Sequence, residues 1–147
     1  MERTLVLIKP DGVQRRLIGN IITRFEQRGL FIRAMKFLKL DLKQAELHYS
    51  VHKDKPFFRS LIEYITSGPI VAMIVEGNNS ISVVRAMCGA TDGSKAAPGT
   101  IRGDFCTSIQ NNLIHASDSE ESYQHEYKIY FSNTEILDWR YIDEELI

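Results

Sequence analysis

Apolar residues from Thr4 to Lys9 form a continuous run closed by Pro10-Asp11-Gly12, the pattern of a buried strand ending in a turn. Leu17, Ile21, Ile22 and Phe25 then recur at helical spacing up to the stop signal Arg28-Gly29, so Leu17 to Gln27 reads as a helix. Phe31 to Leu40 reads as a second strand, because aromatic and β-branched residues behind Gly29 outweigh an imperfect alternation. Asp41 can cap a helix through Glu46 to Val51. Pro56 can open another, with Phe57, Leu61 and Tyr64 on one face and Gly68-Pro69 as its stop. Ile70 to Val75 is a third strand, and Ile81 to Met87 a helix with Cys88-Gly89 at its C-cap. Between Ala90 and Gly103 the periodicity dissolves into about fourteen polar and small residues, a loop long enough to suggest function. Phe105 to Gln110 is irregular, Leu113-Ile114 supply a short strand, and Tyr123, Tyr127 and Tyr130 mark a helix from Ser119 to Tyr130.

The order β-α-β-(αα)-β-α-loop-β-α fits an α/β (α+β) domain with a ferredoxin-like split β-α-β arrangement. Its sheet would be four-stranded, mainly antiparallel and covered by helices, with a doubly wound parallel sheet as the alternative. With 147 residues, 44% of them hydrophobic, the chain suits a single domain over 1–147. Eighteen Lys and Arg against nineteen Asp and Glu give a net charge of −1, so no specific nucleic-acid partner is expected. An RNA-binding module on this topology would carry aromatic residues on its sheet, and Ile70 to Val75 offers none. Cys88 and Cys106 have no metal-ligand spacing and read as packed thiols in a reducing compartment. There is no basic leader and no run near the ~18 apolar residues of a membrane span, which points to a cytoplasmic protein.

The densest chemistry lies at Asn112-Leu113-Ile114-His115-Ala116-Ser117-Asp118-Ser119. A histidine ends an apolar run there, and a helix start follows, with Ser117 or Asp118 as cap and Glu120 and Glu121 in the first turn. An imidazole beside a helix N-terminus suits phosphoryl chemistry. No glycine-rich phosphate cradle exists, since Gly93-Ser94-Lys95 lacks the upstream glycine. Side chains must therefore grip the phosphates, and Tyr49, Arg85, Thr91 and Arg102 lie on segments that could converge on the long loop. A local triad of His115, Ser117 and Asp118 is disfavoured by the tight turn they share. His48 and His52 have zinc-pair spacing without an evident third ligand and read as surface histidines.

Lys9-Pro10-Asp11-Gly12-Val13, Arg102-Gly103-Asp104-Phe105 and Asn112 to Ser119, in this order, resemble the motifs of nucleoside diphosphate kinases, as do Phe57-Phe58 and Ser67-Gly68-Pro69. The resemblance spans about Arg3 to Phe131. It implies the ferredoxin-like fold and a Mg²⁺-dependent ping-pong transfer of a γ-phosphoryl group from a nucleoside triphosphate such as ATP to a diphosphate, which maintains NTP and dNTP pools. His115 would be the nucleophile, phosphorylated on Nδ1, with Glu126 orienting its ring; a phosphohistidine keeps transfer potential that a phosphoserine would lose. Arg85, Thr91 and Arg102 match the phosphate ligands, with Tyr49 nearby, while Lys9 and Asn112 match groups that bind the sugar and shape the site. Phe57 and Ile109, the latter often Val in the family, would sandwich the base and read no base edge, so broad base tolerance is expected. No residue would bind the metal directly; Mg²⁺ would come with the nucleotide, touched by Asp118 at most through water. The resemblance further implies a homo-oligomer, hexamer or tetramer. An idle nucleotide sensor on the same fold is the other reading, and the intact His115 argues against it. Ala116 stands where the family usually has glycine, and a positive φ there would cost about 1 kcal/mol. Gln110-Asn111 replace a frequent Gly-Arg pair, and the tail from Asp138 to Ile147 matches no family motif, leaving Trp139, Tyr141 and Ile142 as candidates for subunit contacts.

Overall fold

A computed structural model describes residues 1–147. Its strands are β1 (Glu2–Ile8), β2 (Phe31–Lys39), β3 (Pro69–Gly77) and β4 (Ile114–Ala116), and its helices α1 (Pro10–Gln14), α2 (Ile18–Gln27), α3 (Leu42–His48), α4 (Phe58–Ile65), α5 (Ser80–Cys88), α6 (Ile101–Phe105) and α7 (Glu120–Tyr130). The sheet order is β2-β3-β1-β4 with every neighbouring pair antiparallel, which is the split β-α-β arrangement and rules out the doubly wound alternative.

Both faces of the sheet are covered. Val6, Ile8, Val71, Met73 and Val75 pack against Ile21 and Phe25 of α2 and Val84 and Cys88 of α5. Leu5, Leu7, Ala72 and Ile74 pack against Ala45 of α3, Ile62 and Ile65 of α4, and Tyr123 and Tyr130 of α7. This two-sided burial is why β1 and β3 read as unbroken apolar runs rather than alternating ones. It also leaves no open sheet face on which bases could stack.

At the edge, β2 keeps its alternation, and a bulge between Ile32 and Ala34 interrupts its register. The C-terminal tail crosses that bulge. Leu137 N–H donates to the Arg33 carbonyl at 2.8 Å and the Tyr141 hydroxyl to the Ile32 carbonyl at 3.2 Å, while Arg33 Nη1 donates to the Trp139 carbonyl. Tyr141 packs on Phe31 with centroids 4.5 Å apart and on Trp139 at 4.3 Å. Trp139 and Tyr141 are thus held by their own chain, and Ile142 alone of the three is fully exposed.

Several local expectations change. Pro10-Asp11-Gly12 opens the short helix α1, with proline at a position where its missing N–H is harmless. The supposed loop contains a 3₁₀ turn at Gly93–Lys95 and ends in α6, capped by the Thr100 side chain accepting from Gly103 N–H. Helix α3 stops at His48 and a 3₁₀ turn, Ser50–His52, follows. Ser119, not Ser117 or Asp118, caps α7 by accepting from Ser122 N–H. Ala116 lies within β4, and its φ is not positive, so the expected alanine penalty does not arise. Both cysteines are buried and free.

Candidate active site

Strand β4 is three residues long, and its register fixes where His115 points. Leu7 pairs with His115, so the imidazole shares the sheet face of Leu7, toward α3 and α7. Helix α7 buries Tyr123, Glu126 and Tyr130 at i, i+3 and i+7 on the same side. His115 Nε2 lies 2.9 Å from Glu126 Oε1, and the Ser117 hydroxyl donates to the same oxygen at 3.0 Å. Ser117 also accepts from Leu5 N–H at 3.2 Å, so it braces Glu126 and takes no part in a triad. A carboxylate accepts, which puts the imidazole proton on Nε2 and leaves the Nδ1 lone pair free.

The approach to β4 is strained. Leu113 has φ 72° and Ile114 N–H returns to the Asn112 carbonyl at 2.8 Å, a three-residue γ-turn that an ordinary side chain rarely adopts. Its surroundings impose it. Leu113 is fully buried, its N–H donates to Asp11 Oδ2 at 3.1 Å, and its carbonyl accepts from Lys9 N–H at 2.8 Å. The Tyr64 hydroxyl donates to the other oxygen of Asp11. Gly12 is required by closeness: a Cβ there would stand 2.8 Å from Ile8 Cγ2 and 3.2 Å from the Leu113 carbonyl.

The outer edge of β4 has no neighbouring strand, and two arginines occupy it. Arg102 donates to the carbonyls of Asn112 (3.2 Å), Ile114 (2.6 Å) and Gly89 (2.8 Å), and Arg85 donates to that of Ala116 (3.2 Å). Three of the five Arg102 N–H bonds are used, which leaves two for a ligand. Asn112 Oδ1 accepts from Lys9 Nζ at 2.8 Å and its amide donates to the Thr91 carbonyl at 3.0 Å, tying the long loop to the site.

Together these groups line a cavity of about 430 Å³. Of the residues expected from sequence, Lys9, Tyr49, Arg85, Thr91, Arg102, Asn112, His115, Asp118 and Glu126 all line it. Phe57 and Ile109 do not, and stand outside it as exposed side chains, 45% and 64% accessible. Burial, reinforced by the charge of Arg102, lowers the Lys9 ammonium to about 8. Burial, then Glu126, pushes the Tyr49 phenol up to about 12, and its hydroxyl has no partner. A hydrogen bond from the Ser122 hydroxyl holds Asp118 below the usual carboxylate range.

His48 overturns its sequence reading. It is 5% exposed, it lines the cavity, and its ring lies 4.6 Å from that of His115; His52 is half-buried and lines the cavity too. The available signal was the spacing of Ala45, His48 and Tyr49, i, i+3, i+4, which marks one buried helix face. Asp11, which braces the Leu113 turn, is visible in the sequence only as a motif member, and Ser117, which braces Glu126, only as a candidate cap and a disfavoured triad member.

The family model for nucleoside diphosphate kinase matches residues 2–136. A nucleoside diphosphate kinase of Thermoplasma volcanium is 63% identical over 144 residues, covering 98% of both chains, and one of Archaeoglobus fulgidus is 54% identical over 147 residues, covering 100% of this chain and 97% of its own. Among solved structures, the Halobacterium salinarum nucleoside diphosphate kinase in complex with CDP superposes with a TM-score of 0.96 at 47% identity, over 99% of this chain and 97% of that one. The Borrelia burgdorferi enzyme, a transition-state mimic with vanadate and ADP, gives 0.92 at 40% identity over 97% and 94%. By sequence along nearly its whole length, and by fold, the chain belongs to the nucleoside diphosphate kinase family.

Proposed function

We propose that the cavity transfers a γ-phosphoryl group from a nucleoside triphosphate to a nucleoside diphosphate in two half-reactions through His115. The observation that carries this reading is the 2.9 Å contact of His115 Nε2 with Glu126, which leaves Nδ1 unpartnered in a cavity lined by Lys9, Arg85 and Arg102. In the first half-reaction the Nδ1 lone pair attacks the γ-phosphorus, the N–P bond forms, and the bond to the β,γ-bridging oxygen breaks, so the diphosphate leaves with that electron pair. The ring keeps its Nε2 proton and gains positive charge, which the Glu126 carboxylate stabilises. In the second, a terminal oxygen of the acceptor diphosphate attacks the same phosphorus and the P–N electron pair returns to Nδ1. Lys9, Arg85 and Arg102 offset charge on the equatorial oxygens, and their bonds to Asn112 and the β4 carbonyls fix them before substrate arrives.

The donor set suits a hard cation only at the cavity mouth. Asp118 supplies an ionised oxygen there, whereas His48, His115 and Glu126, whose ligand atoms lie within 4.8 Å of one another, offer mainly nitrogen. Mg²⁺ carried by the nucleotide would neutralise phosphate charge, with Asp118 reaching it through water. Phe57, whose ring is 5.4 Å from that of the cavity residue His52, and Ile109 would clamp the base from the rim without hydrogen bonds, which supports broad base tolerance. The apolar Met35 and Phe37 on the β2 edge, 58% and 64% exposed, support a homo-oligomer. No helix is long and apolar enough to cross a membrane. The test is incubation with γ-labelled ATP and Mg²⁺. Acid-labile, base-stable label on His115, discharged by GDP or CDP alike and lost in a folded, nucleotide-binding His115→Ala variant, is expected; folded protein that takes up no label refutes the reading.

A further inference from the structure

Two helix ends meet behind His115. Helix α3 finishes at His48 and α7 at Tyr130, both buried, and the two side chains are 2.9 Å apart, the Tyr130 hydroxyl against His48 Nδ1. Burial, and after it the neighbouring His115 and Lys9, hold His48 well below the ordinary imidazole range, so the ring is neutral. Burial likewise keeps the Tyr130 phenol protonated, which makes it the donor and His48 Nδ1 the acceptor. The His48 proton then sits on Nε2, which has no hydrogen-bond partner in the chain. The His48 and His115 rings stand nearly perpendicular, at 78° with centroids 4.6 Å apart.

We propose that His48, fixed by Tyr130 as the Nε2–H tautomer, is a positioning residue for His115. Its ring closes one side of the imidazole while Glu126 holds Nε2, which blocks the ring flip that would exchange the two nitrogens and turn Nδ1 away from the cavity. An aliphatic side chain could fill the same volume, but it would leave the buried Tyr130 hydroxyl without an acceptor. The tautomer matters as well. A lone pair on Nε2 at the cavity wall would repel phosphoryl oxygens, whereas an N–H does not.

The inference rests on His115 as nucleophile, and the experiment separates the two. Single-turnover transfer from γ-labelled ATP with Mg²⁺ is measured for the unaltered protein, His48→Leu and Tyr130→Phe, with the labelled residue located by mass spectrometry. Phosphoenzyme formation should slow about 100-fold in His48→Leu and about tenfold in Tyr130→Phe, since small misplacements of a reacting atom are costly. Both losses should appear in kcat, with KM changed less than about twofold. The ¹⁵N spectrum of His48 should show one Nε2–H tautomer in the unaltered protein and a mixture in Tyr130→Phe. Tyr130→Phe is nearly isosteric and decides the matter if His48→Leu does not fold. Label on His115 forming at the unaltered rate in Tyr130→Phe, or a loss confined to KM, overturns the role of His48 alone. Label on any other residue overturns both.

Discussion

Ala116→Gly should destabilise this protein, although glycine is what the family usually carries there. The alanine lies in β4 opposite Val6, 4% exposed and packed in the core that includes Ile8, Val84 and Ile114. Its φ is not in the left-handed region, so glycine relieves no strain. Removing one buried methyl costs about 0.8 kcal/mol. Freeing the backbone at a strand position costs about 0.5–1 kcal/mol more. The sum, about 1.5 kcal/mol, lowers Tm by roughly 3–6 °C for a domain of this size. Calorimetry of the two proteins at one protein concentration measures it, because an oligomer's Tm varies with concentration. The Ala116 carbonyl that accepts from Arg85 survives the substitution, so the phosphoenzyme rate should change little. An unchanged or raised Tm would refute the assignment of this residue as an ordinary strand position.

Lys9 gives opposite trends with pH. Its folded value of about 8 lies below the ordinary 10.5, so between these the unfolded chain binds the extra proton and the free protein gains stability as pH rises. Nucleotide affinity should instead weaken as pH passes 8 and Lys9 loses its charge. Urea midpoints and nucleotide titrations from pH 7 to 10 test both trends, which Lys9→Met should flatten. Arg102→Lys keeps the charge but cannot reach three carbonyls as the planar fork does; it should cost about 1–3 kcal/mol in urea unfolding as well as slowing transfer. Glu76→Ala leaves the buried Arg33 without its carboxylate and should cost about 3 kcal/mol, with Trp139 fluorescence reporting a loosened tail. Phe57→Ala should raise KM about tenfold or more for every base alike, as loss of stacking predicts, and a rise for one base only would contradict a base-blind clamp.

The fold was readable where burial is simplest. Strands β1 and β3 are apolar on both faces, and α2 and α7 carry long periodic stripes. What escaped were elements whose reason is tertiary. Helix α1 is five residues long and exists to aim Asp11 and Gly12 at the Leu113 turn, while α6 is equally short and sits in a polar segment where period cannot be counted. A positive φ at leucine has no signature in a sequence at all. His48 reads as a surface histidine because its zinc-pair spacing to His52 finds no third ligand, whereas the relation that buries it is to Tyr130, eighty-two positions away. Motif resemblance, by contrast, points to residues that the fold brings around one cavity, Phe57 and Ile109 excepted, without saying what holds them there.

The structure supplies that missing reason for the three motifs. A three-residue strand paired on one edge only is too short to fix His115 by itself. Its other edge would expose the carbonyls of Asn112, Ile114 and Ala116, and it is there that Arg102 and Arg85 bind. The guanidinium groups therefore replace a fifth strand and, by the same contacts, bring positive charge beside His115. At the start of the strand, Lys9 and Asp11 hold the γ-turn through one carbonyl and one N–H of Leu113, and Gly12 is what lets α1 come close enough to do so. A phosphate site built from flexible surface arginines would have to order them on binding, at an entropic cost of about 1.5–2 kcal/mol for each long side chain. Here that ordering is done during folding, because the groups that stabilise the edge of β4 are also those that line the cavity.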